Sequence, residues 1–140
     1  MRKINSAKTS TDLAEFVKKT VTGAGFTDVI VAVSGGVDSA VSISLAVKAL
    51  GLNHVHAILL PYKDLHNEAK KHANLLLNQL EISESHIYEV NISSTTDSLL
   101  KEVGLPFSYS SSERISGPRH NQKWNLFNQF FPAPPTRKHG

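Results

Sequence analysis

The chain has 140 residues, 40% of them hydrophobic and 19% charged, which fits one globular domain with one core and excludes a fibrous or wholly disordered chain. Lys and Arg number 15 against 12 Asp and Glu, a formal charge of +3; so mild an excess favours anionic ligands but is too small and scattered to point to nucleic acid. No stretch approaches the roughly 18 consecutive apolar residues of a membrane span, and the lack of cysteine excludes a disulfide scaffold, a thiolate zinc site and a cysteine nucleophile.

The basic start Met1-Arg2-Lys3-Ile4-Asn5-Ser6 lacks the apolar run of a secretory signal, so the expected compartment is the cytoplasm. Asp12-Leu13-Ala14-Glu15 reads as a capping box opening a first helix, with Asp12 taking orphan amides and Glu15 answering three residues on. Leu13, Phe16, Val17, Thr20, Val21 and Ala24 recur at helical spacing as its buried face, and Gly25 stops it, since a glycine accepts positive φ there. Asp28 to Val33 is a β-branched run with almost no polar break, the pattern of a strand buried on both faces of a parallel sheet.

After the loop Ser34 to Ser39, a second helix is expected from Ala40 to Leu50, stopped by Gly51. His54 to Leu60 reads as a second strand ended by Pro61, which has no amide to give a ladder. Asn67 to Leu80 carries Ala69, Ala73, Leu76, Leu77 and Leu80 on one helical face. Ile87 to Ile92 alternates as a third strand, and Thr96 to Val103 reads as a short fourth helix closed by Gly104. Helices alternating with strands in this way imply right-handed βαβ crossovers and an α/β parallel sheet with helices on both faces. Past Leu105 the chain turns Ser-rich (Ser108 to Ser112) and then Pro-rich (Pro132 to Pro135), with the aromatic stretch Asn125 to Phe131 between them lacking clear periodicity. A domain over residues 1–105 and a disordered tail over 106–140 are therefore expected.

One stretch carries chemistry: Ile30-Val31-Ala32-Val33-Ser34-Gly35-Gly36-Val37-Asp38-Ser39, a buried strand running into a Ser/Gly loop and then a helix. In an open parallel sheet, ligands sit beyond the carboxyl ends of the strands, where this loop lies. Adjacent glycines let successive amides face one concavity, and such a nest backed by a helix N-terminus binds phosphate. Ser34 and Ser39 add hydroxyls, and Asp38 offers a hard oxygen for magnesium. The loop is neither a Walker A motif nor the dinucleotide fingerprint; a plain strand-to-helix turn with Asp38 as N-cap is the bland alternative.

The string Ser34-Gly35-Gly36-Val37-Asp38-Ser39 resembles the pyrophosphate loop of the ATP pyrophosphatases, a superfamily that includes NAD synthetase, GMP synthetase, argininosuccinate synthetase and several tRNA-modifying enzymes. The helix before the strand, the helix Ser39 to Gly51, the strand ending Leu59-Leu60-Pro61, the run Asn67-Glu68-Ala69 with Ala73, Leu76 and Leu80, and the strand Tyr88 to Ile92 look most like NAD synthetase, over residues 11–104. The resemblance implies a Rossmann-like fold of the adenine nucleotide alpha hydrolase type, a parallel sheet sandwiched by helices. It implies that Ala32, Val33, Ser34, Gly35, Gly36, Val37, Asp38 and Ser39 line the phosphates of ATP and that Asp38 holds Mg2+. It implies a carbon–nitrogen ligase of NAD biosynthesis, in which the nicotinate carboxylate of deamido-NAD is adenylated and then amidated by ammonia, giving NAD, AMP and pyrophosphate, in a homodimer.

This chain departs from the family in carrying Leu59 and Leu60 beside the proline, where small polar or basic residues are frequent, and in echoing a later Gly-Asn…Ala-Arg segment only faintly, in Ser116 to Asn121. It is accordingly read as the N-terminal half of such an enzyme, ended early or divergent after residue 105, with no catalytic side chain assigned. A non-catalytic ATP-binding remnant and a tRNA-modifying adenylating enzyme are the alternatives, the second disfavoured by the weak charge and absent cysteine. His54 and His56 share a strand face by this reading, His66 and His72 are wrongly spaced for one helical turn, and solvated or capping roles follow for the histidines. Asp64 and Glu68 read as helix-start charges, and Trp124, Phe127, Phe130 and Phe131 as an ill-packed part of the tail.

Overall fold

The computed structural model of the protein describes residues 4–63 and 67–104; the expected tail, its aromatic cluster, Asp64 and His66 lie outside these residues. The first helix, α1, spans Ser6–Gly23 and begins well upstream of the expected capping box. Asn5 caps it, accepting from the Lys8 amide at 3.1 Å. Asp12 stands inside the helix, paired with Lys8 at 2.8 Å. The polar run before Asp12 has no apolar rhythm, which is why its helicity is not legible in the pattern.

The face that α1 turns inward is Ser6, Ser10, Ala14, Val17 and Val21, not the one headed by Leu13 and Phe16, which are 43% and 65% exposed. Small residues let α1 approach the second helix closely. The Lys48 ammonium of that helix donates to Ser10 Oγ at 2.6 Å and Thr11 Oγ1 at 3.2 Å. The C-terminus closes as expected: Phe26 N–H reaches the Val21 carbonyl, Gly25 N–H reaches that of Thr22, and Gly25 takes φ +83, the arrangement that satisfies a helix's last carbonyls.

Three parallel strands follow, β1 (Val29–Ala32), β2 (Val55–Leu59) and β3 (Ile87–Glu89), in the order β1-β2-β3. Val31, Ala57 and Ile87 form one row across the sheet, and Ala32, Ile58 and Tyr88 the next. The strands are shorter than their apolar runs, but Val33 N–H still bonds the Ile58 carbonyl, and Val90 and Ile92 bond Leu59 and Pro61. The 3₁₀ turn Leu52–His54 leads into β2, so His54 lies outside the strand that the sequence assigned it to. Helices α2 (Val37–Leu50) and α3 (Asn67–Gln79) make the crossovers, and α4 (Ser93–Glu102) follows β3. Both α2 and α4 start a turn earlier than expected, because Val37-Asp38-Ser39 and Ser93-Ser94-Thr95 are helical without an apolar rhythm to reveal it.

The architecture is α/β, a parallel sheet with flanking helices. Its core joins Val55, Ala57 and Leu59 of β2 to Ala40, Ile43 and Ala46 of α2 and to Ala73, Leu76 and Leu77 of α3, with Ile82 beside them. Each fully buried Ile or Leu there contributes about 1.5–3 kcal/mol relative to exposure. Successive right-handed crossovers in one direction put α2 and α3 on the same face. The expected burial of β1 on both faces is therefore not met among the described residues: on the other face Ile30 is 70% and Tyr88 46% exposed. No described helix is long and apolar enough to cross a membrane.

Candidate functional site

At the carboxyl end of β1 the chain leaves the sheet through Val33, whose side chain is 4% exposed and belongs to the core. It then turns through Ser34, Gly35 and Gly36 into α2. Serine hydroxyls tie this turn together. Ser39 Oγ donates to the Gly36 carbonyl at 2.9 Å and accepts from the Ser34 amide at 3.2 Å, and Ser34 Oγ lies 3.1 Å from it. The Gly36 amide donates to Ser34 Oγ at 3.3 Å. Both serines thus serve the loop's own geometry as well as offering hydroxyls outward.

Gly35 is the position that demands glycine. Its φ is +75, and a Cβ built on it would lie 2.1 Å from the backbone carbonyl oxygen of Ala69 in the first turn of α3. The loop is therefore pinned beneath α3, main chain against main chain, by a contact between residues far apart in sequence. Gly36 is the N-cap of α2, with no side chain capping the helix. The first backbone bond runs from Ala40 N–H to the Gly36 carbonyl at 3.1 Å. The amides of Val37, Asp38 and Ser39 precede that bond, so they stand as the orphan donors of a helix start, where the helix dipole adds partial positive charge. Asp38 is exposed in this same turn and, among the described residues, forms no ion pair.

Ala32 to Ser39 thus fall in one stretch at the sheet's carboxyl edge, with different duties. Ala32 ends the strand, Val33 and Val37 anchor the loop in the core, and Ser34, Gly35, Gly36 and Ser39 shape it. The Val37–Ser39 amides and the Asp38 carboxylate are the polar groups at the start of α2. Beside the loop lies a cavity of about 210 Å³ between the ends of β1, β2 and β3 and the start of α3. Apolar walls come from Val33, Leu59, Leu60, Pro61, Ala69 and Ala73, and polar groups from Ser34, Lys63, Lys70 and Glu89.

Lys63, Lys70 and Glu89 are the site residues that sequence reasoning missed. Lys70 pairs with Glu89 at 2.7 Å and Lys63 with Asp97 of α4 at 2.9 Å, Tyr62 donating to the same carboxylate at 2.7 Å. The hydrogen bond to Asp97 raises the Lys63 pKa, and the bonds from Lys63 and Tyr62 hold the Asp97 carboxyl below its ordinary value. The one available signal was topological: residues following Pro61 must lie at the same sheet edge as the loop.

Three of the described histidines, His54, His56 and His86, gather elsewhere. At the amino end of the strands, Asp28 Oδ1 lies 3.2 Å from His54 Nδ1 and 3.9 Å from His56 Nε2, and the rings of His56 and His86 meet with centroids 4.4 Å apart. Hydrogen bonds from Thr27 and His54 hold the Asp28 carboxyl below its usual range. Among the described residues no three His, Asp or Glu side chains are grouped to hold a metal ion. Glu68 pairs with Lys71 at 2.8 Å on the surface of α3.

Residues 9–110 match the family model described as NAD synthase. Over 95 residues the chain is 37% identical to the NH3-dependent NAD+ synthetase of Chlorobium phaeovibrioides, covering 67% of this chain and 32% of that protein. Over 101 residues it is 35% identical to the NH3-dependent NAD+ synthetase of Methanococcus aeolicus, covering 72% and 37%. The solved NH3-dependent NAD synthetase from Campylobacter jejuni superposes with a TM-score of 0.64 over 91% of this chain and 48% of that one, at 21% identity, a likeness of fold. The chain spans about a third of the length of these two curated relatives.

Proposed function

The chain belongs to the NAD synthase family, and on that premise we propose that its loop Ser34–Ser39 holds the triphosphate of ATP for adenylation of a carboxylate, that of the nicotinate ring in deamido-NAD. The observation that carries this reading is the glycine-pinned turn that sets the first amides of α2, which precede its first backbone hydrogen bond, at the carboxyl edge of a parallel sheet. The cavity beside it is smaller than the roughly 300–1,000 Å³ of a complete small-molecule pocket. It suits one end of a nucleotide, with the apolar walls taking the base and Lys63 or Lys70 turned to a phosphate or ribose oxygen.

In the proposed reaction the carboxylate oxygen attacks the α-phosphorus, the bond to the bridging oxygen of pyrophosphate breaks, and an acyl adenylate forms. Ammonia then attacks the acyl carbon, AMP leaves with the bonding electron pair, and the nitrogen loses a proton to give the amide. The Val37, Asp38 and Ser39 amides would take the negative charge that accumulates on the departing pyrophosphate, a contribution that grows toward the transition state. Asp38 suits magnesium: its carboxylate is exposed and, among the described residues, unpaired, and this ion characteristically takes one or two carboxylates, with phosphate oxygens and water completing its shell. When bound, the ion neutralises charge on the phosphates. Ser34 and Ser39 hold the loop in shape.

The second reading, an ATP-binding chain without turnover, is favoured by one observation: the cavity of about 210 Å³ is smaller than a complete small-molecule pocket, and no described group is assigned to the second substrate. Pyrophosphate release separates the two. With ATP, magnesium, deamido-NAD and ammonia, one pyrophosphate per NAD is expected, with none from ATP alone. No release from a chain whose melting temperature ATP still raises would leave only the binding reading, since a ligand specific to the folded state must stabilise it.

A further inference from the structure

Two cations line the cavity, and their counter-charges stand in different places. Lys70 pairs with Glu89, which lines the cavity as well, so that pair brings no net charge to it. Lys63 pairs instead with Asp97 of α4, which lies outside the lining. We propose that Asp97 is a positioning residue: from outside the cavity it holds the Lys63 ammonium where that group donates to an oxygen of the bound nucleotide. The inference rests on the proposed function, which seats a nucleotide there, and it selects Lys63 over Lys70 as the contact.

Lys63 is fixed at both ends, each time by α4. Its main-chain N–H donates to Ser93 Oγ at 2.7 Å, and its ammonium stands 2.9 Å from Asp97 Oδ1. Ser93 opens α4, and Asp97 follows four residues later on the same helix face. The Tyr62 hydroxyl donates to the same Asp97 oxygen at 2.7 Å, and the Lys63 ammonium lies 4.9 Å from the centre of the Tyr62 ring. Lys63 also takes φ +52, a left-handed conformation that a residue with a side chain keeps only where its surroundings hold it, as they do at ligand clamps.

As a contributor to folding the pair is minor, since Lys63 and Asp97 are 49% and 46% exposed and such pairs stabilise little. Its effect is on place. An ammonium carries three donors; Asp97 engages one, and the others remain for a ligand. A lysine stem is otherwise flexible, and restraining it before the ligand arrives lowers the ordering cost of binding.

Isothermal titration of the full chain with ATP and magnesium tests the assignment in Asp97→Asn, Lys63→Met and the double variant. Asparagine keeps an oxygen to accept from Tyr62 but carries no charge. Each single substitution is expected to weaken ATP binding about tenfold, the loss of one hydrogen bond to a charged group. The double variant should bind no more weakly than Lys63→Met, because Asp97 acts only through Lys63, whereas a structural role for Asp97 would make the two losses add. Alanine at either position repeats the cycle should a variant lose the native circular dichroism signal. Additive losses, unchanged affinity in Lys63→Met, or tighter binding in Asp97→Asn would each overturn this proposal while leaving ATP in the site. A natural chain that binds no ATP would overturn the functional reading and this proposal together.

Discussion

Replacing Gly35 with alanine is expected to destabilise the protein by about 2–5 kcal/mol, the sum of two effects. A non-glycine residue in left-handed backbone costs about 1–2 kcal/mol, and Gly35 has φ +75. The added Cβ would also stand 2.1 Å from the Ala69 carbonyl oxygen, 2.7 Å from its carbon and 2.9 Å from its α-carbon. Backbone cannot swing aside as a side-chain tip does, so either the loop or the first turn of α3 must move, an overpacking penalty of about 1–3 kcal/mol. Because α3 brings Ala73, Leu76 and Leu77 to the core, the shift propagates into packing. Gly36→Ala is the matched control: its Cβ would meet only Ser34 Oγ, at 3.4 Å, and losing glycine at an N-cap should cost about 1 kcal/mol or less. Urea denaturation of the two variants decides the matter, and equal midpoints would contradict the pinning of the loop by α3.

Replacing Asp38 with alanine is expected to leave the fold intact and to abolish the dependence of ATP binding on magnesium. Two opposed effects fix the sign. Without the ion, the carboxylate sits beside amides proposed to hold polyanionic phosphate and repels it, so in a chelator Asp38→Ala should bind ATP as well as the natural chain or better. With the ion, the natural chain gains a ligand bridge that the variant lacks, and a difference on the order of 100-fold in Kd, about 2.7 kcal/mol, is expected. The helix loses an N-terminal carboxylate worth only about 0.3–1 kcal/mol. Isothermal titration with and without magnesium gives the four affinities. The same magnesium dependence in both proteins would remove Asp38 from the metal.

Much of the fold is legible in the sequence because β2 and α3 bury apolar residues at regular spacing, β1 and β3 keep β-branched residues half-buried against them, and Gly25, Gly51 and Gly104 mark helix ends by positive φ. The loop is legible for a related reason: two glycines between a β-branched run and a helix have few other uses. What escapes the sequence depends on partners distant along it. The inward stripe of α1 is set by close approach to α2, which selects Ser10 and Ala14 over Leu13 and Phe16. The need for Gly35 comes from Ala69, and the Lys63–Asp97 and Lys70–Glu89 pairs each join separate elements. The open sheet face escapes too, since Ile30 in a β-branched run looks the same whether or not anything covers it.

The claim on which the functional reading rests is that loop amides at the carboxyl edge of β1 grip the phosphates of ATP. The most direct measurement is a nuclear magnetic resonance titration of the ¹⁵N-labelled full chain with ATP and magnesium. Saturable displacement of the amide signals of Gly35, Gly36, Val37, Asp38 and Ser39, with smaller shifts at Lys63 and Lys70 on the cavity, is the expected result. Amide signals of the loop that stay fixed while ATP saturates the protein elsewhere would contradict it.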